Sequence, residues 1–396
     1  MSRPLEGVTI LDLSRILAGP YCTMMLGDLG AEVLKVEPPQ GDDARGWGPP
    51  FAGGESAYFL AVNRNKKSLC LNLKNPGGRD LLLRLAKKAD ILVENFRPGT
   101  LDRLGFGYEE VGKANPRLVY CSISGYGHSG PLRDKPGYDA VIQGEGGWMS
   151  LTGESGGPPL KVGASLADIF TGMMAAQGVL AALYERDRTG EGRKVDVALF
   201  DSVLATLCYQ AQGYLLTDVV PGRIGNRHPS LAPYETFEAS DGYVVVGVGN
   251  DALFRTFCRA IRRPDLDEPR FATNALRVEN YKELKAALVP LFRSEPTEHW
   301  VDTLDAAGIP VGRVRSVAEA LENPQVKGRN MMLEVEHPTV GRMKMTGNPI
   351  KLSGLEEGPT LPPPLLGQHT DEVLSEKLSL TAEQIVALRR EGALGS

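Results

Sequence analysis

Short apolar runs alternate with longer stretches of helical spacing through the first third of the chain. Residues 8–13 (VTILDL), 32–36 (EVLKV), 90–96 (DILVENF) and 117–124 (RLVYCSIS) are rich in β-branched and aliphatic side chains and bounded by Gly, Pro or Asn. That pattern predicts buried strands. Between them, 21–30 (YCTMMLGDLG) and 77–89 (GGRDLLLRLAKKA) carry apolar residues at helical spacing. The resulting strand–helix–strand units predict a parallel sheet covered by helices on both faces, with ligands outside the carboxyl ends of the strands.

Farther on, 170–188 (FTGMMAAQGVLAALYERDR) predicts a helix, 189–199 (TGEGRKVDVAL) a turn into a strand, and 200–216 (FDSVLATLCYQAQGYLL) another helix. Residues 218–235 are broken by Pro and Gly and read as a linker. A smaller α/β segment follows at 236–325, with the strand YVVVGVG (243–249) and two helical stretches. Residues 326–396 then return as strand, turn and a polar terminal helix, so 1–217 and this tail are assigned to one large domain.

Composition narrows the function. With 44 basic against 49 acidic residues, a net charge of −5 and interspersed signs, no basic face points to nucleic acid or a membrane surface. Five dispersed cysteines without C-x-x-C and five histidines without ligand spacing support neither a disulfide framework nor a metal site. No apolar stretch approaches a membrane span on this reading, and a soluble cytoplasmic protein acting on a small molecule is expected. The glycines after the first strand (SRILAGPYCTMMLGDLG) do not form G-x-G-x-x-G, which weakens a nicotinamide oxidoreductase.

One carboxylate stands out. Residues 162–176 (VGASLADIFTGMMAA) are small and apolar except for Asp168. Ser165 and Asp168 fit the S-x-x-D capping box, a purely local role. Alternatively, Asp168 is a nucleophile, with Gly163, Ala164, Ala167 and Gly172 leaving room for a substrate to approach the backbone. The stretch alone leaves both open.

Several long motifs in order resemble the class III coenzyme A transferases of CaiB/BaiF type, closest to the succinyl-CoA:glutarate branch. They are 11–37 (LDLSRILAGPYCTMMLGDLGAEVLKVE), 63–78 (NRNKKSLCLNLKNPGG), 93–106 (VENFRPGTLDRLGF), 137–153 (GYDAVIQGEGGWMSLTG), the Asp168 stretch, and EHPTVGR and PPPLLGQHT in the tail. The resemblance implies an α/β fold with a large Rossmann-like domain, its sheet built from both chain ends, a smaller α/β domain and an interlocked homodimer. It implies that Asp168 is the nucleophile, that Asp139 orients the site, and that Gly247, Gly249 and Asn250 form a glycine loop over it. CoA is then met by Leu17, Ala18, Leu71, Asn72, Leu73, Lys74, Asn95, Phe96, Arg97, Arg103, Lys135 and Tyr138, and an acceptor acid by Arg227 and His228. Acyl-CoA is a substrate and no permanently bound cofactor is required.

Three alternatives share the resemblance: a racemase acting at the α-carbon of acyl-CoA, a carnitine-type CoA carrier transferase, and a CoA-binding protein without catalysis. Racemases of this fold use a histidine where Tyr138 stands, and a phenol is a poor base at neutral pH.

Overall fold

The computed structural model describes residues 3–355 and 361–395, in two compact units. The larger holds residues up to Trp148, Val162–Gln212 and the chain from Pro324 onward; the smaller holds Met149–Lys161 and Gly213–Asn323. Residues 149–161 and 218–235 therefore belong to the smaller unit, rather than to the large domain and a separate linker. The reason is hydrogen bonding between them: Gly225 N–H donates to Gly153 O and Arg223 Nε to Gly157 O.

The large unit is built on six parallel strands: β1 Thr9–Asp12, β2 Glu32–Glu37, β3 Lys66–Cys70, β4 Ile91–Glu94, β5 Val119–Ser124 and β6 Lys194–Ala198. Their order is β3-β2-β1-β4-β5-β6, the doubly wound Rossmann arrangement, in which strand order reverses between β1 and β4. Strand alternation sorts the core. Ile10, Val33, Val93 and Cys121 face one layer; Leu11, Leu34, Leu69 and Leu92 face the other. The first layer is covered by α1 (Ala18–Asp28) and the long helix Leu166–Thr189, the second by the helix Pro76–Ala86 and the chain's last two helices.

Among the described residues the tail does not extend the sheet. All six strands lie between residues 9 and 198, and the C-terminal segment adds Thr370–Leu378, Ala382–Arg390 and one isolated bridge, Leu71 to Leu394. Leu374, Leu378 and Ile385 recur at helical rather than alternating spacing, so they bury their apolar side as helices on the second layer.

In chain order the helices used below are α1, α2 (Ala57–Ala61), α3 (Pro76–Ala86), α4 (Asp139–Glu145), α5 (Leu166–Thr189), α6 (Leu199–Thr206) and α7 (Tyr209–Thr217). The continuous helix expected over 200–216 is broken at Cys208, whose φ of 46° leaves the helical region. Contrary to the sequence expectation, α5 is long and apolar enough to cross a membrane by length and composition alone. Ala167, Thr171, Gly172, Ala175, Val179 and Leu183 on it are nonetheless buried, against α1 and the strands, and Arg186 pairs with Asp90 at 2.9 Å. A Cβ on Gly172 would sit 2.5 Å from the Ala18 carbonyl oxygen, so this glycine is what lets the two helices meet.

The smaller unit carries an antiparallel sheet, β7 (Tyr234–Glu238), β8 (Tyr243–Gly247) and β9 (Val311–Arg313), over a core that includes Phe237, Phe254, Phe257, Phe292 and Trp300. A hairpin, β10 (Met332–His337) with β11 (Gly341–Thr346), completes the returning segment of the large unit.

Candidate active site

At the β1/β4 switch point the chain leaving β1 is held by charges buried beneath it. Asp12 Oδ1 accepts from Ser14 N–H and Oγ at 2.9 and 2.5 Å, and its Oδ2 from Thr23 Oγ1 and Lys66 Nζ at 2.6 and 3.1 Å. Lys35 Nζ donates to Ser14 O and to Asp42 at 3.0 and 2.9 Å, and Asp42 accepts the Ile16 N–H at 3.1 Å. Burial alone pushes the Asp12 carboxyl up, but Lys66 and Lys35 together with the Ser14 and Thr23 hydrogen bonds more than offset it and hold it below its ordinary value. Burial also draws Lys66 down to about 8, despite Asp12 beside it. With all of these groups solvent-inaccessible, removing one partner strands the other as a buried charge.

The network holds a strained turn. Ile16 has φ 70°, a left-handed conformation that a β-branched residue avoids. Its neighbour Arg15 is fixed from the other strand: Arg15 N–H donates to Asn95 Oδ1 at 2.8 Å and Asn95 Nδ2 donates to Arg15 O at 2.7 Å. The loops after β1 and β4 thus form one rigid lip.

Against that lip lies a cleft of 180 Å³ lined by Arg15, Ile16, Leu17 and Ala18, by Asn95, Phe96, Arg97 and Pro98, by Ser124 and Gly125, and by Lys135–Tyr138. Asp168 is on its wall. Ser165 is the N-cap of α5 but its side chain makes no capping bond. Instead, Asp139 Oδ1 accepts the Ala167 N–H at 2.9 Å, and Asp139 Oδ2 accepts from Gln143 Nε2 at 2.8 Å. Gln143, fully buried, accepts the Val162 N–H at 2.9 Å through its Oε1. Asp139 and Gln143 therefore clamp both ends of the turn that delivers Asp168, which is released from the capping box.

Burial and the neighbouring Asp139 raise the Asp168 carboxyl to about 7. It is close to half-ionised at neutral pH, a larger rise than the roughly two units that would keep it mostly charged. Tyr58, pushed up to about 12 by burial and then by Asp168, is within hydrogen-bonding reach of Ser165. Gly172 is small because α1 packs on it and Ala167 is buried in the core, while Gly163 and Ala164 are exposed. At Gly163 a Cβ would meet nothing, so the turn before Asp168 is open there.

Leu17, Ala18, Asn95, Phe96, Arg97, Lys135 and Tyr138 all line the cleft with Asp168, and Asp139 supports it. Residues 71–74 do not line it. Leu71 is fully buried and bridged to Leu394, Leu73 packs on the second layer, and Asn72 is bonded to Gly392 O, leaving Lys74 exposed. Leu71, Asn72 and Leu73 serve the docking of the tail to β3, a role that depends on where the tail goes in space. Arg103 is also outside the cleft, exposed and 3.3 Å from Thr100 Oγ1. Gly247, Gly249, Asn250, Arg227 and His228 belong to the smaller unit. There Asn250 caps the following helix through Leu253 N–H, Arg227 lies 4.2 Å from the Tyr281 ring centre, and His228 N–H donates to Tyr234 O. The sequence pattern does not single out Arg15, Ile16 or Tyr58. The first two follow β1 inside a motif already singled out, and their position at the strand's carboxyl end was the available signal.

The fold and the cleft define an α/β protein that receives its ligand at the switch point of a doubly wound sheet, beside a carboxylate. Residues 5–370 match CoA-transferase family III, and the chain belongs to that family. It is 43% identical over 99% of its length to succinyl-CoA:glutarate CoA-transferase of Homo sapiens, of which 90% is covered. It is 46% identical to acetyl-CoA:oxalate CoA-transferase of Acetobacter aceti, with 89% of this chain and 90% of that protein aligned. A CaiB/BaiF family protein from Brucella suis superposes with a TM-score of 0.85 at 40% identity, over 95% of this chain and 100% of the other. The protein is a CoA-transferase, exchanging CoA between an acyl-CoA and a carboxylate.

Proposed function

We propose that CoA passes from an acyl-CoA donor, succinyl-CoA first among candidates, to a small carboxylic or dicarboxylic acid through covalent intermediates on Asp168. The observation that carries this reading is the Asp168 carboxylate on the wall of the switch-point cleft, outside any capping box and preceded by the exposed Gly163 and Ala164. The Asp168 carboxylate attacks the thioester carbonyl, the C–S bond breaks, and CoA thiolate leaves a mixed anhydride. The thiolate then attacks the aspartyl carbonyl, releasing the donor acid and leaving an aspartyl-CoA thioester. The acceptor carboxylate attacks that thioester, regenerates thiolate and an anhydride, and the thiolate finally takes the acceptor's acyl group. Each step exchanges one acyl bond for another, so no net proton or phosphate is consumed.

The lip formed by Leu17, Ala18 and Asn95–Arg97 is assigned to the pantetheine arm, and Lys135, Arg103 and Lys74 to CoA phosphates. Lys135 is ion-paired with Glu145 in the free protein, so it must exchange partners to do this. Asp139 is assigned to orientation of Asp168. A homodimer is supported by α7, which has no buried residue and exposes Tyr209, Tyr214, Leu215 and Leu216. Five unpaired cysteines support a reducing, cytoplasmic setting.

The test is a panel of acyl-CoAs and free acids followed for CoA exchange by mass spectrometry, with Asp168→Ala alongside. Exchange that vanishes in the variant, and a CoA adduct on the Asp168 peptide of the wild type, are expected. Full exchange by Asp168→Ala sinks the reading.

A further inference from the structure

A thioester carbonyl has two substituents, the sulfur and the acyl chain, pointing away from each other. An acyl-transfer nucleophile therefore needs room on two sides. In the large unit a second cavity, of 310 Å³, lies next to the residues that flank Asp168. Ser165 and Ile169, three before and one after it on α5, line this cavity, and Leu17 lines both it and the CoA cleft. Leu17, Tyr21, Met24 and Met25 form one stripe of α1 along it, and Tyr58 and Val62 face them.

The lining is mainly aliphatic, aromatic and thioether; its polar members are Ser165, Thr346, Asn348 and one ion pair. Arg64 Nε and Nη2 donate to the two oxygens of Asp28 at 2.9 and 2.6 Å, and Arg64 Nη1 donates to Thr346 O at 3.2 Å. The guanidinium already has its carboxylate, so the cavity carries no net charge with which to draw in a second one. Its rim at Ala61 and Pro349 is exposed, where a polar chain end can remain in water.

We propose that this cavity is the acyl-chain site, which makes methylene count the basis of selection and favours acids bearing several methylene groups over oxalate. The inference rests on the reading of Asp168 as the acyl-transfer nucleophile. Leu17 and Tyr58 then form the boundary between the CoA arm and the chain. The two flexible methionines let the site adapt to chains of different length.

The test is calorimetric and needs no turnover. Full-length Asp168→Ala protein is titrated with CoA, acetyl-CoA, butyryl-CoA and hexanoyl-CoA, alone and with Met25→Trp or Ile169→Trp added to fill the cavity from α1 or from α5. Dissociation constants should fall about two- to fourfold per added methylene. With either tryptophan, hexanoyl-CoA should bind no tighter than acetyl-CoA, while free CoA, the check on folding, binds as before. Affinity independent of chain length, or a dependence that survives both tryptophans, overturns the inference and leaves the transferase reading intact. Failure of free CoA to bind overturns that reading, and the acyl site with it.

Discussion

Asp139→Asn removes a charge beside Asp168 while keeping an oxygen to accept the Ala167 N–H, which now meets Asp139 Oδ1 at 2.9 Å. Burial is the larger and Asp139 the smaller cause of the rise in the Asp168 carboxyl from 3.8 to about 7. Asp139 thus accounts for less than half of a rise of about three units, or at most about 2 kcal/mol of differential stabilisation. In wild type, kcat/KM for acyl-CoA should climb with pH to an inflection near 7, because only the carboxylate attacks. In the variant the inflection should fall, but by no more than about 1.6 units. At pH 6 the ionised fraction of Asp168 should rise from about a tenth to at most about four-fifths. The new amide also faces Gln143 Nε2, a donor meeting a donor, so a loss of about 1 kcal/mol in stability is expected. The position of the limb, rather than the absolute rate, is accordingly the readout. An inflection unmoved by the substitution would refute the electrostatic coupling, and one falling to about 4 would show that burial is not the main cause.

Three further outcomes follow from the same geometry. Since the folded state raises the Asp168 pKa, ionising it costs stability: the penalty is absent below about 4, grows as pH rises toward 7 and is full above it, so Asp168→Asn should stabilise against urea by on the order of 2–4 kcal/mol at pH 8 and by less at pH 5. Equal stabilisation at both pH values would contradict this. Gly172→Val should cost about 1–3 kcal/mol in denaturant unfolding and lower kcat/KM, because its Cβ would strike the Ala18 carbonyl oxygen at 2.5 Å and push α1 off α5. Unchanged stability would mean the helices can separate freely. Asn95→Ala frees Arg15 from both of its backbone bonds, and KM for acyl-CoA should rise about tenfold with kcat less affected, at about 1 kcal/mol per lost bond. A purely kcat effect would place Asn95 in the chemistry instead of the lip.

Much of the architecture was legible from short-range pattern. The runs at 8–13, 32–36, 90–96 and 117–124 became β1, β2, β4 and β5 with ends shifted by a few residues, because the alternation of buried side chains is a local property of the chain. The sequence pattern does not mark β3 as a strand. Its Lys66 and Lys67 look like surface residues, yet Lys66 is fully buried against Asp12, a partner 54 residues away. The family resemblance puts the tail in the sheet, whereas its described residues bury their apolar side as helices on a face.

The sequence by itself determined that a helix starts at Ser165 with Asp168 in its first turn, and that loops after the first and fourth strands would face a ligand. Tertiary structure decided what that carboxylate is. Its helix is capped by Asp139 from 28 residues away, its turn is tied down by Gln143, and its charge is made costly by burial and by a second carboxylate. Desolvation and Coulomb interactions depend on distance in space, and no spacing along the chain records them.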